Sequence, residues 1–209
     1  MKIKVCGITR PEDLEALVAL GADYAGFIFY GKSPRFAGNK LDGRTVREKG
    51  KHIGKVGVFV NADAQQVLQT VKDYGLDMIQ LHGHESIALC EQLRATVPVM
   101  KVFHVDEKGY GQASSFREVS DYFLFDTASA DYGGTGRQFN WELLKDYRLD
   151  QPFFLSGGIG PDDVEALLQW RHEKLFAVDV NSRFETAPGV KDMEKVAAFI
   201  KQLKQNIKK

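Results

Sequence analysis

YFLFDTASADYGGTGRQFN, residues 122–140, joins four apolar or aromatic residues (Tyr122, Phe123, Leu124, Phe125) directly to Asp126. Beyond Asp126 comes a loop of small polar residues that reaches Gly133-Gly134-Thr135-Gly136-Arg137. A short apolar run closed by turn residues is the pattern of a buried strand whose last residue emerges at a sheet edge or a barrel mouth. Asp126 stands at that exit. A carboxylate there is either a proton carrier or counter-ion, or a simple turn cap. The glycines either let backbone N–H groups approach an anion or only bend the loop.

The same pattern recurs on both sides. Residues 3–6, 24–29, 56–60, 78–82 and 97–103 precede the stretch as apolar runs, and 153–156 and 175–180 follow it. Pro98 is compatible with its run only at a strand start. Helical patterns lie between. Thr9 and Glu12 have capping-box spacing ahead of Leu14, Leu17 and Val18. A poorly periodic helix is expected near 43–50, and Asp63 opens one with Val67, Leu68 and Val71 inward. Residues 85–94 place Ile87, Leu89 and Leu93 inward, and Trp141, Leu143 and Leu144 begin the helix after the sixth strand. Pro161 marks the first turn of a helix burying Val164, Leu167 and Leu168. A closing helix from Asp192 aligns Met193, Val196, Ala197, Ile200 and Leu203, and only 105–113 fits no pattern.

Strands that are apolar throughout rather than alternating predict an α/β fold, a parallel sheet covered by helices. Eight strand-then-helix units close a (β/α)8 TIM barrel, here as a single domain over residues 1–209. An open doubly wound sheet is the alternative. In both, ligands bind beyond the carboxyl ends of the strands.

Lysine and arginine total 28, matched by 28 acidic residues, so nothing in the charge balance suggests a nucleic acid partner. Cys6 and Cys90 make no disulfide framework, and neither has ligand-like Cys/His spacing around it. The first residues lack a signal-peptide core, and no run approaches the roughly 20 residues of a membrane helix. A soluble protein of a reducing, cytoplasmic compartment is expected.

The strand ends carry Cys6, Lys32 to Arg35, Asn61, Gln80 with His82, His104, Asp126, Gly157-Gly158 and Asp179. Cys6 reads either as a small buried hydrophobe or as a base, since local stabilisation of the thiolate from its usual pKa of about 8.5 would bring it near neutrality. Asp126, kept partly protonated by its aromatic neighbours and an anionic ligand, is then the complementary acid. Ser156-Gly157-Gly158-Ile159-Gly160 follows the seventh strand, where barrels recurrently bind phosphate. Arg35 suits a second anion such as a carboxylate, or is a surface arginine. His82 is a ligand contact or a structural histidine.

In order along the chain, KVCGIT, SPRF at 33–36, VGVFVN at 56–61, IQLHG at 79–83, FDT with GGTGRQFNW, LSGGIGPDDV at 155–164, and VDVNSRFE with PGVKD resemble the phosphoribosylanthranilate isomerase family of tryptophan biosynthesis. The resemblance implies a (β/α)8 barrel and an Amadori rearrangement of N-(5-phosphoribosyl)anthranilate to 1-(2-carboxyphenylamino)-1-deoxyribulose 5-phosphate. It places the general base on Cys6 and the general acid on Asp126. Arg35 would meet the anthranilate carboxylate and Gly157 and Gly158 the phosphate, with Ser182 a further phosphate ligand and Gln80, His82 and Asp179 lining the substrate. The substrate is a small phosphosugar-anthranilate, no metal or organic cofactor is implied, and the protein is expected to act as a monomer or homodimer. One departure stands out: Asn181-Ser182-Arg183 replaces the Ser-Ser-Gly type of turn expected after the eighth strand. Two rivals are a related phosphosugar reaction such as indole-glycerol-phosphate synthesis, which calls for a lysine acid, and a non-catalytic anion-binding scaffold.

Overall fold

Apolar residues on both faces of a strand can be buried only if both faces are covered, and the chain meets that demand by closing its sheet on itself. The computed structural model describes residues 1–106, 109–127 and 138–207. Its strands are β1 (Lys2–Val5), β2 (Tyr24–Ile28), β3 (Gly54–Phe59), β4 (Met78–Leu81), β5 (Val99–Val105), β6 (Tyr122–Thr127), β7 (Phe153–Leu155) and β8 (Leu175–Val180). All eight are parallel and follow one another in order, and β8 pairs with β1 to close the barrel. The open-sheet alternative is thereby excluded.

Two apolar clusters follow from the two faces. The larger packs strand residues such as Val5, Phe27 and Phe123 against helix residues such as Leu14, Val67 and Leu203. The smaller consists of strand residues alone, Val56, Met78, Met100, Val102, Leu124, Phe154 and Ala177, and fills the barrel interior. Towards the carboxyl ends of the strands the interior turns polar, with Lys4, Gln80 and Asp179 all buried.

The helices include α1 (Pro11–Leu20), α2 (Gly43–Lys49), α3 (Ala64–Tyr74), α4 (Ile87–Arg94), α5 (Val164–Gln169) and α6 (Met193–Ile207). Asp42, Asp63 and Ser86 cap α2, α3 and α4 by accepting from the backbone N–H groups of Thr45, Gln66 and Leu89. Three expectations are corrected. Thr9 and Glu12 form no capping box: Arg10 is the N-cap of α1, and the Thr9 hydroxyl instead donates to the carbonyl of Gly189, 180 residues away. Ile87 is exposed, because Glu85 is drawn into the loop before α4 by Asn61, Gly83 and Lys101, and the helix begins later and turned accordingly. The coverings of β5 and β6 are 3-10 turns, Ala113–Val119 and Trp141–Leu144, rather than full helices. Pro98 lies just before β5, where its missing N–H costs no ladder bond.

The glycine run 133–136 and Arg137 lie outside the described residues. After β8 the chain forms a 3-10 turn at Ser182–Phe184 and then an unanticipated hairpin, β9 (Glu185–Ala187) with β10 (Val190–Lys191), before α6.

Candidate active site

At the carboxyl mouth of the barrel lies one cavity holding about 760 Å³ of empty space, part of it open to solvent. Cys6, Arg35, Gln80, His82, Asp126, Gly157, Gly158, Asp179 and Ser182 all line it. Seven loops and strand ends converge there because parallel strands all point their carboxyl ends the same way. Asn61 and His104 do not line it. Asn61 sits in the left-handed region (φ +53°), accepts from the His84 N–H and donates to Glu85, so it locks the β3 and β4 loops together.

Cys6 lies one residue past β1, its N–H donating to the carbonyl of Val180 at 2.8 Å. Burial pushes its thiol above the ordinary range, Lys4 and Lys191 work in the opposite direction, and Asp179 adds to the rise. The thiol of the ligand-free protein is therefore harder to ionise than an exposed cysteine, the reverse of the expected direction. Asp126 behaves as expected: burial pushes its carboxyl up to about 6, against the Thr127 N–H that donates to its Oδ1 at 2.8 Å. Proximity to Asp179 adds to the rise. The main cause is loss of water around the charge rather than an aromatic effect as such.

His82 faces Asp126 with Nε2 3.6 Å from Oδ2, beyond hydrogen-bond range. Burial, His104 and the nearby lysines lower its pKa to about 3, so the ring is neutral. The Gln80 amide nitrogen lies 3.3 Å from its Nδ1 and can only donate, which leaves the proton on Nε2, on the side of Asp126. Gln80 Oε1 is buried with no hydrogen-bond partner among the described residues, an acceptor turned towards a polar ligand.

Arg35 lines the cavity, but one edge of its guanidinium is committed. Nε and Nη2 donate to Glu185 of β9 at 2.7–3.0 Å, and Glu185 also accepts from Lys191 Nζ at 2.8 Å. Lys191 reaches on to Asn181 Oδ1 at 2.9 Å. The guanidinium is thus held in one orientation, and its Nη1 edge is the one not used by Glu185. Opposite, Asp179 accepts from Lys4 Nζ at 2.9 Å deep in the barrel.

Gly157 and Gly158 both have positive φ, +89° and +69°, which only glycine adopts freely. A Cβ on Gly157 would come within 2.8 Å of the Thr127 N and 3.2 Å of Asp126 Oδ1, so the same glycine lets the β7 loop close on the β6 exit. Ser182 opens the 3-10 turn after β8. Arg183 lines the cavity with its Nε 3.1 Å from the position a Gly160 Cβ would occupy.

Sequence reasoning missed Lys4, Glu185, Lys191 and Asn181. Lys4 had a signal, a lysine in a buried strand two residues before Cys6 and hence on the same face. Glu185 and Lys191 had none, because they reach the site only through the hairpin.

A family profile described as N-(5′-phosphoribosyl)anthranilate (PRA) isomerase matches residues 3–202. The N-(5′-phosphoribosyl)anthranilate isomerase of Phocaeicola vulgatus is 43% identical over 209 residues, covering 99% of this chain and 100% of its own. Among solved structures, phosphoribosyl anthranilate isomerase of Thermotoga maritima superposes with a TM-score of 0.85 at 35% identity, covering 98% of this chain and 99% of that one. Another phosphoribosyl anthranilate isomerase, solved in complex with reduced 1-(o-carboxyphenylamino)-1-deoxyribulose 5-phosphate, matches with a TM-score of 0.82 at 34% identity, covering 98% of this chain and 99% of that one.

Proposed function

The chain belongs to the N-(5′-phosphoribosyl)anthranilate isomerase family and catalyses that family's rearrangement in tryptophan biosynthesis; from this premise we propose that Cys6 is its general base and Asp126 its general acid. The observation that carries the assignment is the shared cavity: a thiol from the end of β1 and a carboxyl from β6 open onto one space at the barrel mouth.

Asp126 gives its proton to the ribose ring oxygen, and the ring opens to a Schiff base. Cys6 then takes the C2′ proton, and the enolamine formed tautomerises to the ketone. A carboxyl with a pKa of about 6 suits the first step, because it is a strong enough acid to protonate an ether oxygen and still partly protonated near neutrality. His82 Nε2–H, on the side of Asp126, steadies the carboxylate left behind once the two close from 3.6 Å to hydrogen-bond distance. The electron sink is the substrate nitrogen, so the chain supplies binding, orientation and two proton transfers.

The free edge of Arg35 takes the anthranilate carboxylate, Gly157, Gly158 and Ser182 take the phosphate, and Gln80 and Asp179 face the sugar. Such an anionic ligand also raises the Asp126 pKa further, favouring the protonated carboxyl that ring opening needs. The whole chain works as one barrel domain, in the cytoplasm, as a monomer or homodimer; no described helix is long and apolar enough to cross a membrane.

Purified protein mixed with phosphoribosylanthranilate should remove its anthranilate-type fluorescence well above the spontaneous rate. Cys6→Ser and Asp126→Asn should each lose about 10²–10⁴-fold in kcat with the fold intact. Near-normal kcat in either variant would overturn that residue's role.

A further inference from the structure

We propose that Lys4 is the positioning residue of the proton-accepting step: its ammonium, held on one side by Asp179, fixes a positive charge beside the Cys6 sulfur from inside the barrel. The inference rests on the reading of Cys6 as the base and adds to it the group that makes the thiol usable.

Lys4 and Cys6 are two residues apart at the end of β1, so their side chains leave the same face of the strand. Lys4 is fully buried, and its Nζ lies 2.9 Å from Asp179 Oδ1 across the β1–β8 pairing, in which Lys4 and Asp179 are direct neighbours. The space where thiol and ammonium meet is made by Gly26 on β2. A Cβ built there would stand 2.7 Å from Cys6 Sγ and 3.1 Å from Lys4 Nζ, so the two atoms are less than about 6 Å apart. A side chain at 26 would occupy the place that the pair uses.

A buried lysine is costly unless something holds its charge. Here burial works against the charge, but Asp179 and Cys6 outweigh it, so Lys4 stays protonated. It keeps its proton throughout the reaction: the C2′ proton goes to the Cys6 sulfur, and the thiolate, until then paired with the ammonium, becomes a neutral thiol. The groups facing the sulfur are Lys4 of β1, Asp179 of β8, Lys191 of β10, Asp126 of β6, Arg35 after β2 and His82 after β4. Among them Lys4 has the strongest pull towards thiolate, and Asp179 opposes it. Removing the ammonium must therefore raise the pH at which the sulfur ionises, whereas removing Asp179 takes away both an opposing charge and the partner that keeps Lys4 protonated, so the sign is fixed for Lys4 alone.

The pH dependence of Cys6 alkylation by iodoacetamide reads this directly, without substrate, because only the thiolate reacts. A Cys90→Ala background isolates Cys6; Cys90 is buried in α4 with its thiol pushed up to about 11. Lys4→Met should raise the alkylation midpoint by about one pH unit or more. The high-pH limb of kcat/KM should follow the Lys4→Met shift upward. A Lys4→Met midpoint within a few tenths of the parent would overturn the inference. Should Lys4→Met not fold, Lys4→Met/Asp179→Asn, which removes both charges, is compared with the parent; because Lys4 acts on the sulfur more strongly than Asp179, a higher midpoint in the double variant supports the role and an equal or lower one removes it. If Cys6→Ser keeps its activity, the base assignment falls while the alkylation result stands unaffected.

Discussion

At the scale of single residues, the two proposed proton carriers are pushed the same way by the same cause. Burial raises Asp126 to about 6 and raises Cys6 as well. In the free protein the proton therefore rests on sulfur and the charge on carboxyl, so the form with Asp126 protonated and Cys6 ionised is a minor tautomer. Activity is expected to rise with pH through about 6, as the first proton leaves the pair, and to fall above the raised thiol value, as the second leaves. In Asp126→Asn only the thiol remains to titrate, and the low-pH limb should move up towards it. A limb still near 6 in that variant would assign it to another group, such as the substrate phosphate. As the proposed partner of the anthranilate carboxylate, Arg35 would act away from the bonds being changed, so Arg35→Ala should mainly raise KM. An unchanged KM would move the carboxylate pocket elsewhere.

At the scale of elements, the β9–β10 hairpin matters more than its seven residues, Glu185 to Lys191, suggest. It delivers Glu185 and Lys191 to the site, and it is tied back by Thr9 through the 2.6 Å bond to the Gly189 carbonyl. Glu185 is nearly fully buried between two cations. Burial alone would raise its pKa, but Arg35 and Lys191 hold it below the ordinary glutamate range. A depressed carboxylate contributes stability that is present above its unfolded pKa of about 4.3 and is lost as pH falls through the lower folded value. Glu185→Ala should therefore destabilise by about 3–5 kcal/mol at neutral pH, because it leaves two buried cations unmatched. The difference from the parent should shrink as pH falls below the unfolded glutamate value and through the lower folded one. Urea melts at several pH values measure both, and a cost under about 0.5 kcal/mol would place the hairpin among surface features.

At the scale of the molecule, stability and function share one barrel but use different ends. Phe154 fills the interior beneath the polar layer, packed on Tyr24, Tyr122 and Phe176. Phe154→Ala should cost about 3–5 kcal/mol in a denaturant melt, the size of a large buried cavity. Among molecules still folded it should leave the site chemistry in place. A much smaller cost would mean that the interior collapses around the gap.

The strands and the polar set at their ends were legible because an apolar run between turn residues has few ways to be buried, and parallel strands send all their ends to one mouth. What surrounds those strands was less legible. The 3-10 coverings of β5 and β6, the exposure of Ile87 and the role of Thr9 depend on partners as far away as Gly189, which local pattern does not record.

Periodicity, strand count and the identity of Cys6, Asp126 and the β7 glycines were thus determined by the sequence alone, since each is a property of neighbours in the chain. The tertiary structure alone decided that Arg35 is clamped by Glu185, that Lys4 lies beside the thiol and that burial makes Cys6 harder to ionise. Those depend on distance and on exclusion of water, and both arise only when segments up to 175 residues apart, as Lys4 and Asp179 are, meet across a closed barrel.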